Sequence, residues 1–289
     1  MTRSAYSFGS KALVILTLLL CTHATIAQRN KAPDYFQSFL NTQFWLGLRF
    51  GINYTNPIPS ESFTTFHSLD DIDEVYEKTY NSFDKPGGQA GLHISLYHKG
   101  FSFEVLPTFK IERYSYFSEL SWTGNDVTDD FETRYDLTQT LNVIEIPLVL
   151  KYDILRSGEI RPFVQAGLQY SMIIDARKNA KVTHTEFSTG EARDFNGGEF
   201  SLGVRESFKN FYGAVGGVGA SFDFSNVRTI VEFSYLYALS PVTNTNNRFE
   251  ENELVSLGEV NDKLGLNNIN AAISLVFPFR YLDKTFQSH

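Results

Sequence analysis

The sequence predicts an all-β protein: an eight-stranded, antiparallel, up-and-down transmembrane barrel with short periplasmic turns and four long extracellular loops. Three observations carry this. Segments of about ten residues alternate between an apolar face and a polar or glycine face, the pattern of a strand between lipid and a polar lumen. Aromatic residues make up 15% of the chain, with 26 Phe and 15 Tyr, and such enrichment favours strands over helices. The connections between the segments alternate long and short, as an up-and-down barrel requires. The mean hydropathy of −0.20 indicates no helical membrane protein, and it leaves room for a barrel, whose lumen and loops dilute its apolar band.

The first 27 residues read as a secretory signal peptide. Arg3 and Lys11 form a basic start, residues 12–20 are a short apolar core, and Ala27 ends a run suited to cleavage. Cys21, the sole cysteine, follows the bulky Leu20, which is unlike a lipid-attachment site. The exported chain then has no disulfide, so sheet closure must supply its stability. Loss of Arg3 and Lys11 takes the net charge from −8 to −10, which argues against nucleic acid as a partner. Residues 28–43 form a periplasmic lead-in, 44–280 the barrel and 281–289 a tail.

The first strand covers residues 44–54. Phe44, Leu46, Leu48, Phe50, Ile52 and Tyr54 alternate with Trp45, Gly47, Arg49, Gly51 and Asn53. A long acidic connection reaches residue 88, and the second strand covers 89–97, with Ala90, Leu92, Ile94 and Leu96 on its apolar face. A tight turn at Lys99 and Gly100 leads to the third strand from Phe101, and a second long loop covers 115–136. The fourth and fifth strands, IEIPLVLKYD and IRPFVQAGLQY, are joined by a short turn. A third long loop, 175–210, precedes the sixth strand at 211–224; a tight turn leads to the seventh, which carries Val231, Phe233 and Tyr235 outward. The fourth long loop is 240–267, and the eighth strand covers 268–279. About ten residues at 3.3 Å each, tilted near 40°, span about 25 Å, the height of a barrel's apolar band. Pro107 and Pro147 fall inside strands, so each predicts a bulge or a widened ladder. Phe44, Tyr54, Tyr152, Tyr170, Tyr237 and Phe279 sit near strand ends, where aromatic girdles meet the two interfaces.

The lumen face holds Arg49, Glu104, Lys110, Glu112, Glu145, Lys151, Arg161, Arg228 and Glu232. Unpaired charges are costly in so narrow a space, so these predict a paired structural network that fills the interior. A small ion-conducting pore is the alternative. Gly213, Gly217 and Gly219 make room for large neighbours such as Trp45 or an arginine. Catalytic readings are weak. His93 and Ser95 share a strand face, but spacing alone supplies no oriented triad. The run Asp70, Asp71, Asp73, Glu74 lacks the glycine and terminal glutamate of a calcium loop. GAVGGVG at 213–219 continues strand alternation rather than a nucleotide turn. No catalytic, cofactor or metal residues are expected.

The glycine-rich LGLRFGINY, the proline-centred FEVLPTF, and the segments IEIPLVLKY and RPFVQAGLQY resemble the PorT-like outer-membrane β-barrel proteins of Bacteroidota. The resemblance spans most of residues 44–280 and is most specific in the last two segments. It implies an eight-stranded barrel and, through the namesake, an accessory part in type IX secretion; it brings no catalytic residues. The chain departs from the pattern at its end, where RYLDKTFQSH follows Phe279. The expectation is a non-enzymatic outer-membrane protein whose partners are outer-membrane lipid and envelope proteins reached through the extracellular loops. The alternatives are a soluble lipocalin-like carrier, with the two faces reversed, and a barrel hydrolase acting at the loops.

Overall fold

The computed structural model describes residues 42–63, 73–123, 130–156, 158–187, 191–224, 227–248 and 260–279. The expected signal segment, most of the lead-in and the tail lie outside them. Eleven strands follow in order: β1 (Gln43–Glu61), β2 (Asp73–Tyr80), β3 (Pro86–His98), β4 (Phe101–Val105), β5 (Thr108–Thr123), β6 (Phe131–Asp153), β7 (Ile160–Glu186), β8 (Arg193–Gly203), β9 (Phe211–Phe224), β10 (Val227–Ala238) and β11 (Lys263–Pro278). All pairings are antiparallel. From β1 they pass to β3, to β4 and β5 in tandem, to β6, β7, β9, β10 and β11, and so back to β1. The closing ladder runs from Trp45 opposite Pro278 to Glu61 opposite Lys263.

The interrupted strand β4/β5 explains both internal prolines. The ladder stops at Leu106 and Pro107, and the Leu106 N–H donates to the Pro147 carbonyl at 3.1 Å. In an antiparallel strand a residue's N–H and C=O point to the same side. The N–H that Pro147 lacks therefore faces the gap left by Leu106 and Pro107. At the tight end, Lys99 and Gly100 both take positive φ, 49° and 90°, the conformation of a two-residue turn that matches strand twist.

Outward side chains of the ring are apolar and exposed. Leu48, Phe50, Leu150, Leu168, Val218, Phe233 and Ile273 are each half or more exposed. Two aromatic contacts mark the end with short turns: Phe44 meets Phe279 edge-on at 5.7 Å, and Phe101 meets Tyr152 at 4.8 Å.

The long connections differ from the expected loops, because much of them is strand. Residues 113–123 of β5, 131–142 of β6 and 175–186 of β7 continue past the belt, and β2 and β8 flank them. The result is a five-stranded extension ordered β2-β5-β6-β7-β8, roughly 35 Å tall at about 3.3 Å per residue. Along these strands the chemistry of the faces inverts. In the belt Phe109 is exposed and Lys110 buried; above it Arg113 is exposed and Tyr114 buried. On β6, Ile144 faces out and Glu145 in, whereas higher up Asp136 faces out and Leu137 in. A strand leaving lipid for water must exchange its apolar outer face for a polar one. Tyr114, Tyr116, Tyr135, Leu137, Leu141, Ala180 and Val182 thus form an inner apolar cluster with Val204, Phe208, Val242 and Leu264.

Arginine at Ile273, in the middle of the outward belt, is expected to cost about 2–4 kcal/mol. Arginine at Thr138, outward in the extension, is expected to change stability by less than about 0.5 kcal/mol. Guanidinium unfolding of both variants in phospholipid vesicles measures the contrast; equal costs would place the belt elsewhere.

Candidate functional site

Every inward position along the belt comes from the same alternation, so charged residues of separate strands converge on one axis. All nine residues of the expected network, Arg49, Glu104, Lys110, Glu112, Glu145, Lys151, Arg161, Arg228 and Glu232, are buried. They form three levels rather than one continuous chain.

The level nearest the short turns is built on two arginines. Arg161 meets Asp223 at 2.5 Å and Asp153 at 3.7 Å, and Arg228 donates to Asp223 at 2.7 Å. The Arg228 guanidinium also lies 4.1 Å over the Trp45 ring, and Tyr97 is 5.6 Å away. Trp45, Tyr97, Phe163, Ile230 and Val276 pack together here and close that end. The space for Phe163 comes from Gly219, where a Cβ would stand 2.4 Å from the ring tip. Trp45 or an arginine was the expected neighbour of these glycines; Phe163, Gln165 and Leu236 take those places beside Gly219, Gly217 and Gly213.

At the middle level, Lys151 meets Glu104 at 2.5 Å, while Arg49 grips Glu232 through its Nε and a terminal nitrogen. His93 bridges Glu104, 3.5 Å from Nε2, and Ser274, 3.0 Å from Nδ1. Serine, histidine and a carboxylate in line resemble a nucleophilic triad. This constellation lacks what such chemistry needs. His93, Ser274 and Glu104 have no exposed surface, the carboxylate is already held by Lys151, and Ser274 sits mid-ladder with its strand paired on both sides. Ser95 shares the strand face of His93, but the hydroxyl that His93 meets is that of Ser274.

The upper level centres on Lys110, 3.2 Å from both Glu145 and Glu112. Asn268 donates to Glu112 at 2.8 Å and accepts from Thr55 at 2.7 Å. Above it lies the apolar cluster, and then a strap. Val260 and Asp262 are buried. Lys78 donates to the Val260 carbonyl, Lys178 to Asn261, both at 2.6 Å, and the Tyr80 hydroxyl to Asp262 at 2.9 Å. Tyr116 lies between the two ammonium groups, at 5.5 and 5.6 Å.

Asp153 and Asp223 continue the inward parity of their strands, so the partners of Arg161 and Arg228 are legible in the sequence. The strap is not, because its ties come from two strands distant in sequence, β2 and β7. Of the acidic run, Asp70 and Asp71 lie outside the described residues, and Asp73 and Glu74 open β2. Among the described residues no group of three or more metal-ligating side chains occurs.

Replacing Glu232 by Leu leaves Arg49 buried and unpaired, and is expected to cost about 3–5 kcal/mol. The double variant Arg49→Met, Glu232→Leu is expected to regain most of that loss. A double-mutant cycle by chemical denaturation checks this; additive losses would mean the two side chains act independently.

A family model described as an outer membrane protein beta-barrel domain matches residues 26–244. The match ends before β11, the strand that closes onto β1. No curated protein matches the chain. Among solved structures, OprG from Pseudomonas aeruginosa is similar at 13% identity and a TM-score of 0.38, over 83% of this chain and 98% of that one. Neisserial surface protein A is similar at 10% identity and a TM-score of 0.35, over 83% and 99%. The outer membrane protease OmpT from Escherichia coli is similar at 10% identity and a TM-score of 0.28, over 83% and 97%. With a match over more than half its length, and an apolar outer face around a polar interior, the chain belongs to the outer membrane protein beta-barrel domain family and resides in the outer membrane.

Proposed function

We propose that the protein is a non-enzymatic, eight-stranded transmembrane barrel with a filled lumen, which holds a rigid five-stranded sheet outside the cell for binding. The observation that carries this is the inward stacking of three ion-paired levels between an aromatic closure below and an apolar cluster with its strap above. A soluble carrier would keep its apolar faces inside. Here exposed Leu, Ile, Val and Phe cover the outside, and a solvent-borne protein rarely leaves so large an apolar surface open.

The extension supplies the binding surface. Its outward face is polar: Arg134 contacts Glu119 and Asp136 and lies 4.3 Å over Phe117. Strand β8 pairs with β7 alone among the described residues, so its far edge offers backbone groups to a partner strand. An accessory part in type IX secretion, as in PorT-like proteins, is one form of this role, supported by the IEIPLVLKY and RPFVQAGLQY segments. Retention of secreted cargo in a deletion strain would support that form; normal secretion would assign the sheet to another envelope partner.

The filled lumen is tested in planar bilayers. The purified protein is expected to produce no discrete conductance steps. Stable open steps would replace this reading with a small pore.

A further inference from the structure

The wall has a lateral groove between the outer ends of β10 and β11, of about 230 Å³, lined by Ile58, Tyr237, Leu239, Pro241, Gly265 and Asn267. It exists because the β10–β11 ladder ends at Leu236 opposite Asn268, while β11 continues to Lys263 paired with β1 and is next met on its other side at Leu264, whose carbonyl accepts from the Val242 N–H at 2.8 Å. Beyond Ala238 the chain turns towards β9. The N–H groups of Leu239 and Ser240 donate to the Tyr212 carbonyl, at 3.0 and 3.3 Å. The Ala238 N–H donates to the Asn267 side chain at 2.9 Å. The N–H groups of Ala238, Leu239 and Ser240 are thus satisfied at the gap without a ladder to β11, and an apolar cleft can persist beside them.

Two features identify an occupant. The groove is continuous with the lipid-facing belt: Tyr235, Tyr237, Leu239 and Ile269 around it are exposed on the same outer surface. Cations stand beyond its lining: Lys263, two residues before Gly265 on β11, and the more buried Arg248 both approach the single Glu61 carboxylate, at 3.7 and 4.0 Å. An alkyl chain fits the cleft, and a phosphate fits the cation excess. The floor at Gly265 is open. A Cβ there would meet the Ala238 methyl at 3.4 Å and the Ile58 carbonyl at 4.0 Å, so a side chain at 265 would rise into the groove.

We infer that this groove seats one acyl chain of a phosphate-bearing lipid of the outer leaflet, with its headgroup against Lys263 and Arg248. The inference rests on the membrane-spanning reading above. The test reconstitutes the full mature chain in vesicles of phosphatidylglycerol carrying a photoactivatable diazirine on one acyl chain, and maps cross-linked residues by mass spectrometry.

Labelling at residues 237–241 is expected to exceed severalfold that at Tyr170, an exposed aromatic at the same end of the wall. Gly265→Leu is expected to abolish the excess. Lys263→Glu is expected to reduce it for phosphatidylglycerol and leave it unchanged for diacylglycerol bearing the same diazirine. Should Gly265→Leu fail to fold, as seen by loss of its heat-dependent gel shift, the wild-type map and Lys263→Glu decide the matter. Uniform labelling around the belt overturns the inference and leaves the barrel standing. No labelling anywhere on the belt overturns the membrane-spanning reading and the groove together.

Discussion

In hydrocarbon a backbone N–H or C=O has no solvent to bond, so a membrane sheet is stable only when its last strand finds its first. The ladder between β1 and β11 meets that requirement, and the rest of the molecule depends on it. Closure excuses no free edge for a proline. Pro147 and the Leu106–Pro107 break are tolerated because they face each other across neighbouring strands, so one interruption absorbs both defects. Above the outer boundary the requirement lapses. There β10 can leave β11, and β8 can stand as an edge.

Closure of so few strands also fixes what the interior must be. The inward faces come close enough that side chains fill the space. Buried polar residues there are costly unless they find partners within reach. Arg49 finds Glu232, Lys151 finds Glu104, and Lys110 is shared by Glu145 and Glu112. Arg49–Glu232 joins β1 to β10, which are distant in sequence, while Lys151–Glu104 and Lys110–Glu145 tie neighbouring strands, so the network favours one arrangement of the ring. Serine, histidine and glutamate meet at the middle level for the same reason, as one more buried polar bridge.

The faces of the strands were legible because lipid and lumen impose opposite demands at period two, and single residues such as Leu48 and Arg49 report them directly. The extension was not legible, for two physical reasons. The strands of β5 and β6 keep their alternation past the belt but exchange its chemistry, so Leu137 and Leu141 point in where Glu145 does lower down. A search for apolar-out segments stops at that exchange. In β7 the parity itself changes. Register slips at Ile174, after which even rather than odd positions face inward, and Asp175 looks like the start of a loop. Such a bulge adds one residue and sharpens the local twist. Strand β8 is exposed throughout its first four residues and alternates only at its end, where Phe200 and Leu202 turn towards the apolar cluster, so its contrast is too short to announce it.

The exchange of faces marks the level at which the chain leaves the membrane. It is tested most directly by single cysteines along the outward positions of β5, in a background without Cys21, probed on intact cells with a membrane-impermeant maleimide. Cysteines at Phe109 and Ile111 are expected to stay unlabelled, and those at Arg113, Ser115 and Phe117 to react, with the step between 111 and 113. Equal reaction at all five positions, or a step displaced by several residues, would contradict a lipid boundary at the inversion.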